Sequence, residues 1–185
     1  SKAEALVEGR KNGTAVELNV TDEAKMGELI AQSDLSVSML PPNYHPVVAR
    51  FCIESKKDMV TTSYVSDDMQ KLDEPAKKAG VFILNEIGVD TGIDHMSAME
   101  TLDDLRQRGA RIRAFETFTG GLIAPECDDN PWGYKFTWNP RNVVMAAETG
   151  AQYMEADKIK CVPWQHVFHH TWLLDIPGVG KMEAY

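Results

Sequence analysis

Acidic residues are concentrated in one short segment that follows an apolar run. Residues 85–96 read NEIGVDTGIDHM and come directly after VFIL at 81–84. Carboxylates at the end of a buried strand are costly to desolvate unless they are paired or have a chemical task. Asp90 is the best candidate for such a task, because it lies beyond the apolar run, just before a glycine that permits a tight turn, where its charge could stabilise a cation.

Structural roles are the alternatives for the same segment. Asp90 could be a turn residue that bonds its own backbone. Asp94 is predicted to cap the helix that follows it. His95 could relay a proton, but a structural histidine at the start of a helix is the simpler interpretation.

The elements that must position this segment alternate between strand and helix. Strands joined by single helices favour a parallel sheet with right-handed crossovers. Ligands of such sheets bind beyond the carboxyl ends of the strands, which is where residues 85–96 fall. The predicted strands are 14–20, 34–40, 58–64 and 81–86, and the predicted helices are 22–32 with Thr21 as N-cap, 46–56, and 66–79 with Ser66 as N-cap and a stop at Gly80.

Two other segments end predicted strands and should face the same crevice. They are LPPNYH at 40–45 and TSYVS at 62–66. The hydroxyls of Ser63 and Tyr64 could hold a carboxylate or an amide, whereas the structural alternative is a helix cap at Ser66 with Tyr64 as a packing residue.

A second domain is predicted from about residue 89. The apolar spacing after Gly92 indicates a helix that stops at Gly109, and residues 111–118 alternate like a strand of a different, half-exposed sheet. Residues 119–142 are rich in Gly, Pro and aromatic residues, which favours a binding loop with a short strand at 134–138. The predicted domains are therefore 1–88 and 89–185, and the tail from 150 has a weaker β-rich pattern with a turn at 177–180.

Composition excludes several classes of protein. The net charge of −9 comes without a cluster of Lys and Arg, so a nucleic-acid partner is not expected. The sequence has no apolar run of about 20 residues and no signal-peptide core, so neither a membrane span nor secretion is expected. Three widely spaced Cys give no disulfide framework, and HVFHH at 166–170 lacks a matching set of ligands, so we expect a cytoplasmic protein without a metal.

Five stretches together resemble one known family. They are VSMLP, MVTTSYVS, NEIGVDTGIDHM, GGLIAPE and DNPWGYKFTWNPRNVV. Their wording and order resemble saccharopine dehydrogenase (glutamate-forming), also called saccharopine reductase, over nearly the whole chain. Relative to that family the chain looks truncated at both ends, since no G-x-G-x-x-G turn precedes the first predicted strand.

The resemblance implies an α/β fold, an activity and a cofactor. The fold would be a Rossmann-like parallel sheet without its first strand and helix, followed by part of an α+β substrate and dimerisation domain. The activity would be hydride transfer between NADP or NAD and the secondary amine of saccharopine, in a homodimer. Alternatives are a non-catalytic relic of such an enzyme and a related carboxynorspermidine synthase.

The resemblance also implies roles for individual residues. Asp90 would lie next to the substrate amine as the catalytic carboxylate, although a bound water remains an alternative for the acid-base group. The family often carries Cys near Thr119, and the absence of a thiol here argues against an obligatory thiol role. The cofactor would contact Ser38, Leu40, Pro41 and Ser63, and the substrate would contact Tyr64, Asp90, Thr119, Lys135, Trp138 and Arg141.

Overall fold

The computed structural model describes residues 1–137, 140–145, 148–169 and 171–184. The chain forms two compact units, Ser1–Arg113 and Ala114–Tyr185. Each unit is described by itself below. The domain division predicted after residue 88 stays a prediction.

The first unit contains a parallel sheet of three strands. The strands are β1 (Leu35–Ser38), β2 (Asp58–Thr61) and β3 (Ile83–Leu84), in the order β1-β2-β3. Leu35 lies opposite Asp58, and Met59 lies opposite Ile83. The parallel sheet confirms the predicted α/β fold, although each strand is shorter than the sequence pattern suggested.

Helices connect these strands as expected for parallel crossovers. Pro46 lies in the first turn of α3, where its missing N–H costs nothing, and Gly80 ends α5 with a left-handed backbone at φ 70°. The helices of this unit are α1 (Lys2–Val7), α2 (Glu23–Ala31), α3 (His45–Ser55), α4 (Asp67–Gln70), α5 (Asp73–Ala79) and α6 (Ile93–Gln107), with a 3₁₀ turn at Pro42–Tyr44.

A small apolar core joins the sheet to α2 and α3. Met59 of β2 and Cys52 and Ala49 of α3 are completely buried. Met26 and Ile30 add the inner face of α2. The core therefore fixes β2 against α3, and the start of α3 lies beside the carboxyl ends of β1 and β2.

One predicted strand and one predicted helix of this unit were wrong. Residues 14–20 form no strand, because no neighbouring strand pairs with their backbone groups, although Leu18 and Val20 still pack on the core. The predicted helix 66–79 is broken between α4 and α5. Pro75 has no N–H to donate, and its ring would clash with a carbonyl one turn earlier in a continuous helix.

The N-cap of α2 is Asp22, whereas the sequence pattern had suggested Thr21. Asp22 Oδ1 accepts a hydrogen bond from the backbone N–H of Lys25 at 3.1 Å, and the Thr21 hydroxyl instead donates to Asn19.

Asp22→Ala is expected to lower the free energy of unfolding by about 1 kcal/mol, because the first turn of α2 loses its side-chain acceptor. Urea unfolding followed by circular dichroism measures the effect. Thr21→Ala is the matched control and should change stability by less than about 0.5 kcal/mol. A larger loss for Thr21→Ala than for Asp22→Ala would contradict the assignment of the cap.

The second unit is built around two β-hairpins. The strands β4 (Ala151–Glu155) and β5 (Lys158–Val162) pair with each other, as do β6 (Trp172–Ile176) and β7 (Gly180–Ala184). The second hairpin confirms the predicted β-rich tail and its turn. A short helix, α7 (Pro140–Val144), and 3₁₀ turns at Pro125–Cys127 and Trp164–His169 complete the described elements of this unit.

Two predicted strands in this part of the chain were wrong. Residues 111–118 form no strand, and neither do residues 134–137. Trp138, the last residue of the second predicted strand, lies outside the described residues. An alternating pattern alone did not suffice, because a strand also needs a partner for its backbone N–H and C=O groups. Within the described ranges, no helix is both long and apolar enough to cross a membrane.

Candidate functional site

A buried histidine connects the carboxyl ends of β1 and β2. His45 Nδ1 lies 2.8 Å from the Ser38 hydroxyl, and His45 Nε2 lies 2.7 Å from the Ser63 hydroxyl and 3.4 Å from that of Thr61. Ser38 and Ser63 are both predicted cofactor residues, so the structure brings these two together through a side chain that was not predicted to take part.

The burial of His45 determines its protonation. Its side chain is almost completely enclosed, and desolvation lowers the pKa of the imidazole. The ring is therefore neutral at neutral pH, with one nitrogen donating and the other accepting a hydrogen bond. Both nitrogens have a hydroxyl partner, which satisfies a buried polar ring that would otherwise be costly.

The chain after β3 is bonded to the end of β2. The backbone N–H of Glu86 donates to Ser63 O at 3.1 Å, and that of Ile87 donates to Thr61 O at 3.1 Å. The Glu86 carboxylate accepts a hydrogen bond from Val65 N at 3.1 Å. These bonds fix residues 85–87 beside Ser63, at the carboxyl edge of the sheet.

A tight loop at residues 88–92 carries Asp90. Gly88 N donates to Thr91 O at 2.8 Å, and Ile93 N donates to Gly88 O at 2.9 Å. A methyl group added at Gly88 would lie only 3.3 Å from Thr62 Cβ, so the loop packs directly against the end of β2. The Asp90 loop and Ser63 therefore belong to the same edge of the sheet.

The two aspartates around this loop have opposite electrostatic environments. Partial desolvation raises the pKa of the Asp90 carboxyl, and the hydrogen bond to Asp94 and the negative charge of Asp94 raise it further, against the opposing charge of His95. Desolvation opposes ionisation of Asp94 too, but hydrogen bonds from His95, Asp90 and the Gly92 backbone outweigh it and lower the pKa of Asp94. Neighbouring carboxyls with diverging pKa values are typical of acid-base sites.

The hydrogen bonds of Asp94 differ from those of the predicted helix cap. The residue before α6 is Gly92, and Asp94 lies in the first turn. Its Oδ1 accepts a hydrogen bond from Gly92 N at 2.9 Å and lies 2.9 Å from His95 Nδ1. The prediction of Asp94 as N-cap was wrong, because the helix begins earlier and the Asp94 side chain closes the preceding loop.

Asp94→Asn is expected to lower the pKa of Asp90 toward that of an ordinary aspartate. The substitution removes a negative charge and an ionised acceptor, both of which favour protonated Asp90, so the direction is downward. A carbon-13 NMR titration of the Asp90 carboxyl measures the change. Asp103→Asn, at an exposed position of the same helix, is the control and should leave the titration unchanged; a pKa that rises in Asp94→Asn would contradict the pairing.

The remaining predicted residues of the first unit lie around this edge. Leu40 is half-buried and packs on the core, so only part of its side chain faces outward. Pro41 is exposed and precedes the 3₁₀ turn, with its carbonyl accepting from Tyr44 N at 2.9 Å. Tyr64 is 64% exposed and follows Ser63 directly.

The predicted residues of the second unit lie in irregular chain and in a short helix. Thr119 is exposed, and Arg141 is the second residue of α7. Lys135 Nζ forms an ion pair with Asp129 Oδ1 at 2.8 Å. Trp138 lies outside the described residues. Among the residues that the structure describes, no three His, Cys, Asp or Glu side chains are grouped to hold a metal.

His45 is the residue that reasoning from the sequence missed. Its signal was present, since it ends the segment LPPNYH that was expected to face the crevice and it precedes Pro46 at a helix start. A histidine in that place is close to the ends of two neighbouring strands. The pattern could not show that its ring points inward between two serines.

A parallel sheet with helical connections and polar side chains beyond the carboxyl ends of its strands is the arrangement of a Rossmann-like ligand-binding domain. Two family models match this chain: "Saccharopine dehydrogenase NADP binding domain" over residues 1–84 and "Saccharopine dehydrogenase C-terminal domain" over residues 88–185. The chain therefore belongs to the saccharopine dehydrogenase family.

Individual relatives agree with the family models. The chain is 43% identical to the NADP(+)-dependent, L-glutamate-forming saccharopine dehydrogenase of Schizosaccharomyces pombe, over 86% of this chain and 35% of that protein. It is 42% identical to the mitochondrial alpha-aminoadipic semialdehyde synthase of Bos taurus, over 82% of this chain and 16% of that protein. The chain thus spans about a third, or less, of the length of these relatives.

A solved structure has the same fold. Apo histidine-tagged saccharopine dehydrogenase (L-Glu forming) from Saccharomyces cerevisiae superposes with a TM-score of 0.79 at 37% identity. The match covers 96% of this chain and 40% of that one.

Proposed function

We propose that this chain carries parts of an oxidoreductase that interconverts saccharopine with L-glutamate and 2-aminoadipate 6-semialdehyde, using NADP, in lysine metabolism. One observation carries the proposal: Ser38 and Ser63 meet at His45, and the Asp90 loop packs beside them at the carboxyl edge of a parallel sheet. The names of the relatives support saccharopine as substrate and NADP as cofactor.

The residues at this edge suit the nicotinamide part of the cofactor. Ser63 is only half-buried and can offer its hydroxyl to an amide, and Leu40 and Pro41 provide apolar surface for a ring. Ser38 is buried, so its contribution would pass through His45. When bound, NADP would supply the hydride acceptor, and the chain's own residues would orient the reactants.

Asp90 is proposed as the catalytic carboxylate. Loss of hydride from the methylene carbon next to the secondary amine leaves a cationic iminium, which a nearby carboxylate stabilises. Water then adds to that carbon, and cleavage of the carbon–nitrogen bond releases glutamate, the semialdehyde and a proton. Because its pKa is raised, Asp90 is a stronger proton acceptor than an ordinary aspartate.

The carboxylates of saccharopine need cationic and hydroxyl partners in an acidic protein. We propose Lys135 and Arg141 as the cations, with Tyr64, Thr119 and Trp138 as further contacts. The ion pair of Lys135 with Asp129 is exposed and contributes about 1 kcal/mol at most, so a substrate carboxylate could replace Asp129.

The direct test supplies the full-length protein with saccharopine and NADP⁺ and follows NADPH by its near-ultraviolet absorbance. We expect NADPH to form with saccharopine and not with carboxynorspermidine. NADPH formation only with the polyamine adduct would instead identify a carboxynorspermidine synthase. An absence of NADPH binding by calorimetry would identify a non-catalytic relic.

The assembly and location of the protein also stay predictions. We propose a homodimer without nucleic-acid or membrane partners, and sedimentation that shows only a monomer at micromolar concentration would contradict it. We further propose a cytoplasmic location. Fractionation of cells tests this location, and the mitochondrial designation of the bovine relative defines the alternative outcome.

A further inference from the structure

We propose that His45 is a positioning residue for the dinucleotide: anchored by Ser38, it holds the Ser63 hydroxyl in the orientation that contacts the cofactor. This inference rests on the proposed function and deepens it. It assigns a role to a buried side chain that the proposed hydride transfer does not itself use.

Ser38, His45, Thr61 and Ser63 form one hydrogen-bonded network, and its members differ in burial. Ser38, His45 and Thr61 are all buried, with exposed fractions of 4%, 1% and 1%. Ser63 is half-buried and is therefore the member that reaches the surface. A ligand at this edge would meet Ser63, and the other three would act through it.

Distances separate the strong contacts from the weak one. The contacts of His45 with Ser38 at 2.8 Å and with Ser63 at 2.7 Å are short hydrogen bonds. Thr61 is farther from the same nitrogen, at 3.4 Å, and its hydroxyl also accepts from Ser63 N at 3.3 Å. Ser63 is thus held at its hydroxyl by His45 and at its backbone by Thr61.

The neutral ring can bond the Ser63 hydroxyl in one of two ways, depending on which nitrogen carries the hydrogen. If Nδ1 donates to Ser38, Nε2 accepts the Ser63 hydroxyl hydrogen, and Ser63 presents lone pairs to the ligand. If Nε2 donates, Ser63 presents its hydrogen instead. In the first case His45 fixes the Ser63 hydroxyl hydrogen, and in both cases it fixes the position of the Ser63 oxygen, so less side-chain freedom is lost when a ligand binds.

A purely structural role would not need this arrangement. The neighbouring core positions of α3 are filled by Val48, Ala49 and Cys52. An apolar side chain of similar volume would pack there without requiring three hydroxyl groups nearby. A polar ring whose two nitrogens both meet hydroxyls suits instead the orientation of the one hydroxyl among them that reaches the surface, that of Ser63.

Two substitutions of His45 test the hydrogen bonds of the two ring nitrogens separately. The amide nitrogen of Asn occupies approximately the place of Nδ1, so His45→Asn keeps the Ser38 contact and loses the Ser63 contact. The longer Gln reaches the place of Nε2, so His45→Gln keeps the Ser63 contact. In the full-length protein we expect the Kd for NADPH, measured by calorimetry, to rise about tenfold in His45→Asn and less than about threefold in His45→Gln.

A double-mutant cycle distinguishes positioning from a structural effect. Ser63→Ala alone should also raise the Kd about tenfold, and His45→Asn added to it should cause no further rise. Ser38→Ala leaves the ring intact and serves if His45→Asn does not fold. Ser38→Ala should raise the Kd for NADPH a few-fold in the wild-type background and should not raise it further in the Ser63→Ala background. Thermal unfolding confirms that each variant is folded.

The outcomes separate this inference from the proposed function. Tight NADPH binding by the wild type with unchanged binding by His45→Asn or Ser63→Ala would overturn the role of His45 and leave the function standing. Additive losses in the double variant would make His45 a structural residue only. A wild type that binds no NADPH would overturn both proposals.

Discussion

Asp90→Asn is expected to lower kcat/KM for saccharopine about 100-fold while the Kd for NADPH changes less than about threefold. Asn has nearly the same shape as Asp but cannot accept a proton or stabilise a cation with a full charge. The loss should therefore appear in the chemical step. What Asp90→Asn removes is the stabilisation of the cationic iminium that forms as hydride leaves the substrate.

The pH dependence of this reaction provides a second measure of the same residue. In the proposed reaction Asp90 must be ionised to oxidise saccharopine, so kcat/KM should fall on the acid side as Asp90 is protonated. Because the pKa of Asp90 is raised, that fall should begin at a higher pH than for an ordinary aspartate. In Asp94→Asn the fall should move to lower pH, in line with the lowered pKa of Asp90.

The control for the kinetic experiment makes the same chemical change elsewhere. Asp68→Asn removes an exposed carboxylate that pairs with Lys71 at 2.7 Å, and should leave kcat/KM unchanged. If Asp90→Asn behaved like Asp68→Asn, Asp90 would have no part in the chemical step. A bound water would then become the better candidate for the acid-base group.

The sequence was most informative where local rules and the sheet agreed. Pro46 and Gly80 marked a helix start and a helix end correctly, because each acts through its own backbone. The parallel order of β1, β2 and β3 followed from single helices between short apolar runs. Those rules also predicted that residues 62–66 and 85–96 lie at one edge of the sheet.

Predictions that depended on distant partners were less successful. Residues 14–20 and 111–118 have strand-like patterns, but no strand pairs with them. The role of Asp94 also depended on a neighbour, since its carboxylate bonds backward to Gly92 and sideways to His95. Hydrogen-bond partners of this kind are fixed by tertiary packing, which a single sequence does not specify.

The candidate site was predicted as a set of strand ends rather than as a network. Ser38 and Ser63 were both chosen, yet the ring that joins them was not. Its inward orientation depends on the packing of α3 against β2, which places His45 between the two serines. In the structure a hydrogen-bonded ring connects the two predicted serines, and Ser63 is the one of them that reaches the surface.

Gly92→Ala is expected to lower the free energy of unfolding of the first unit by about 4 kcal/mol. Gly92 has φ +141°, a conformation that side chains rarely adopt, and a Cβ there would lie 2.3 Å from Gly88 O and 2.6 Å from Gly88 N. Both obstacles are backbone atoms of a hydrogen-bonded loop. No side chain can rotate away to make room, so the loop itself must open.

Gly109→Ala is the matched control at the other end of α6. Gly109 also has a positive φ, +77°, but no atom lies within 4 Å of the added Cβ. It should cost only about 1 kcal/mol, the penalty of a left-handed backbone. All four Trp lie beyond residue 113, so unfolding of the first unit is better followed by hydrogen exchange at core amides such as that of Met59, which donates to Phe82 O, than by fluorescence.

The activity of Gly92→Ala connects the strained loop to the chemistry. If the approach of Gly88 to Gly92 is what places Asp90 beside the end of β2, Gly92→Ala should reduce kcat/KM at least as much as Asp90→Asn, by about 100-fold. The double variant Gly92→Ala/Asp90→Asn should have the same kcat/KM as Gly92→Ala alone, because a displaced Asp90 no longer contributes to the chemical step. Equal stability losses for Gly92→Ala and Gly109→Ala, or full activity in Gly92→Ala, would show that the tight loop does not position the carboxylate.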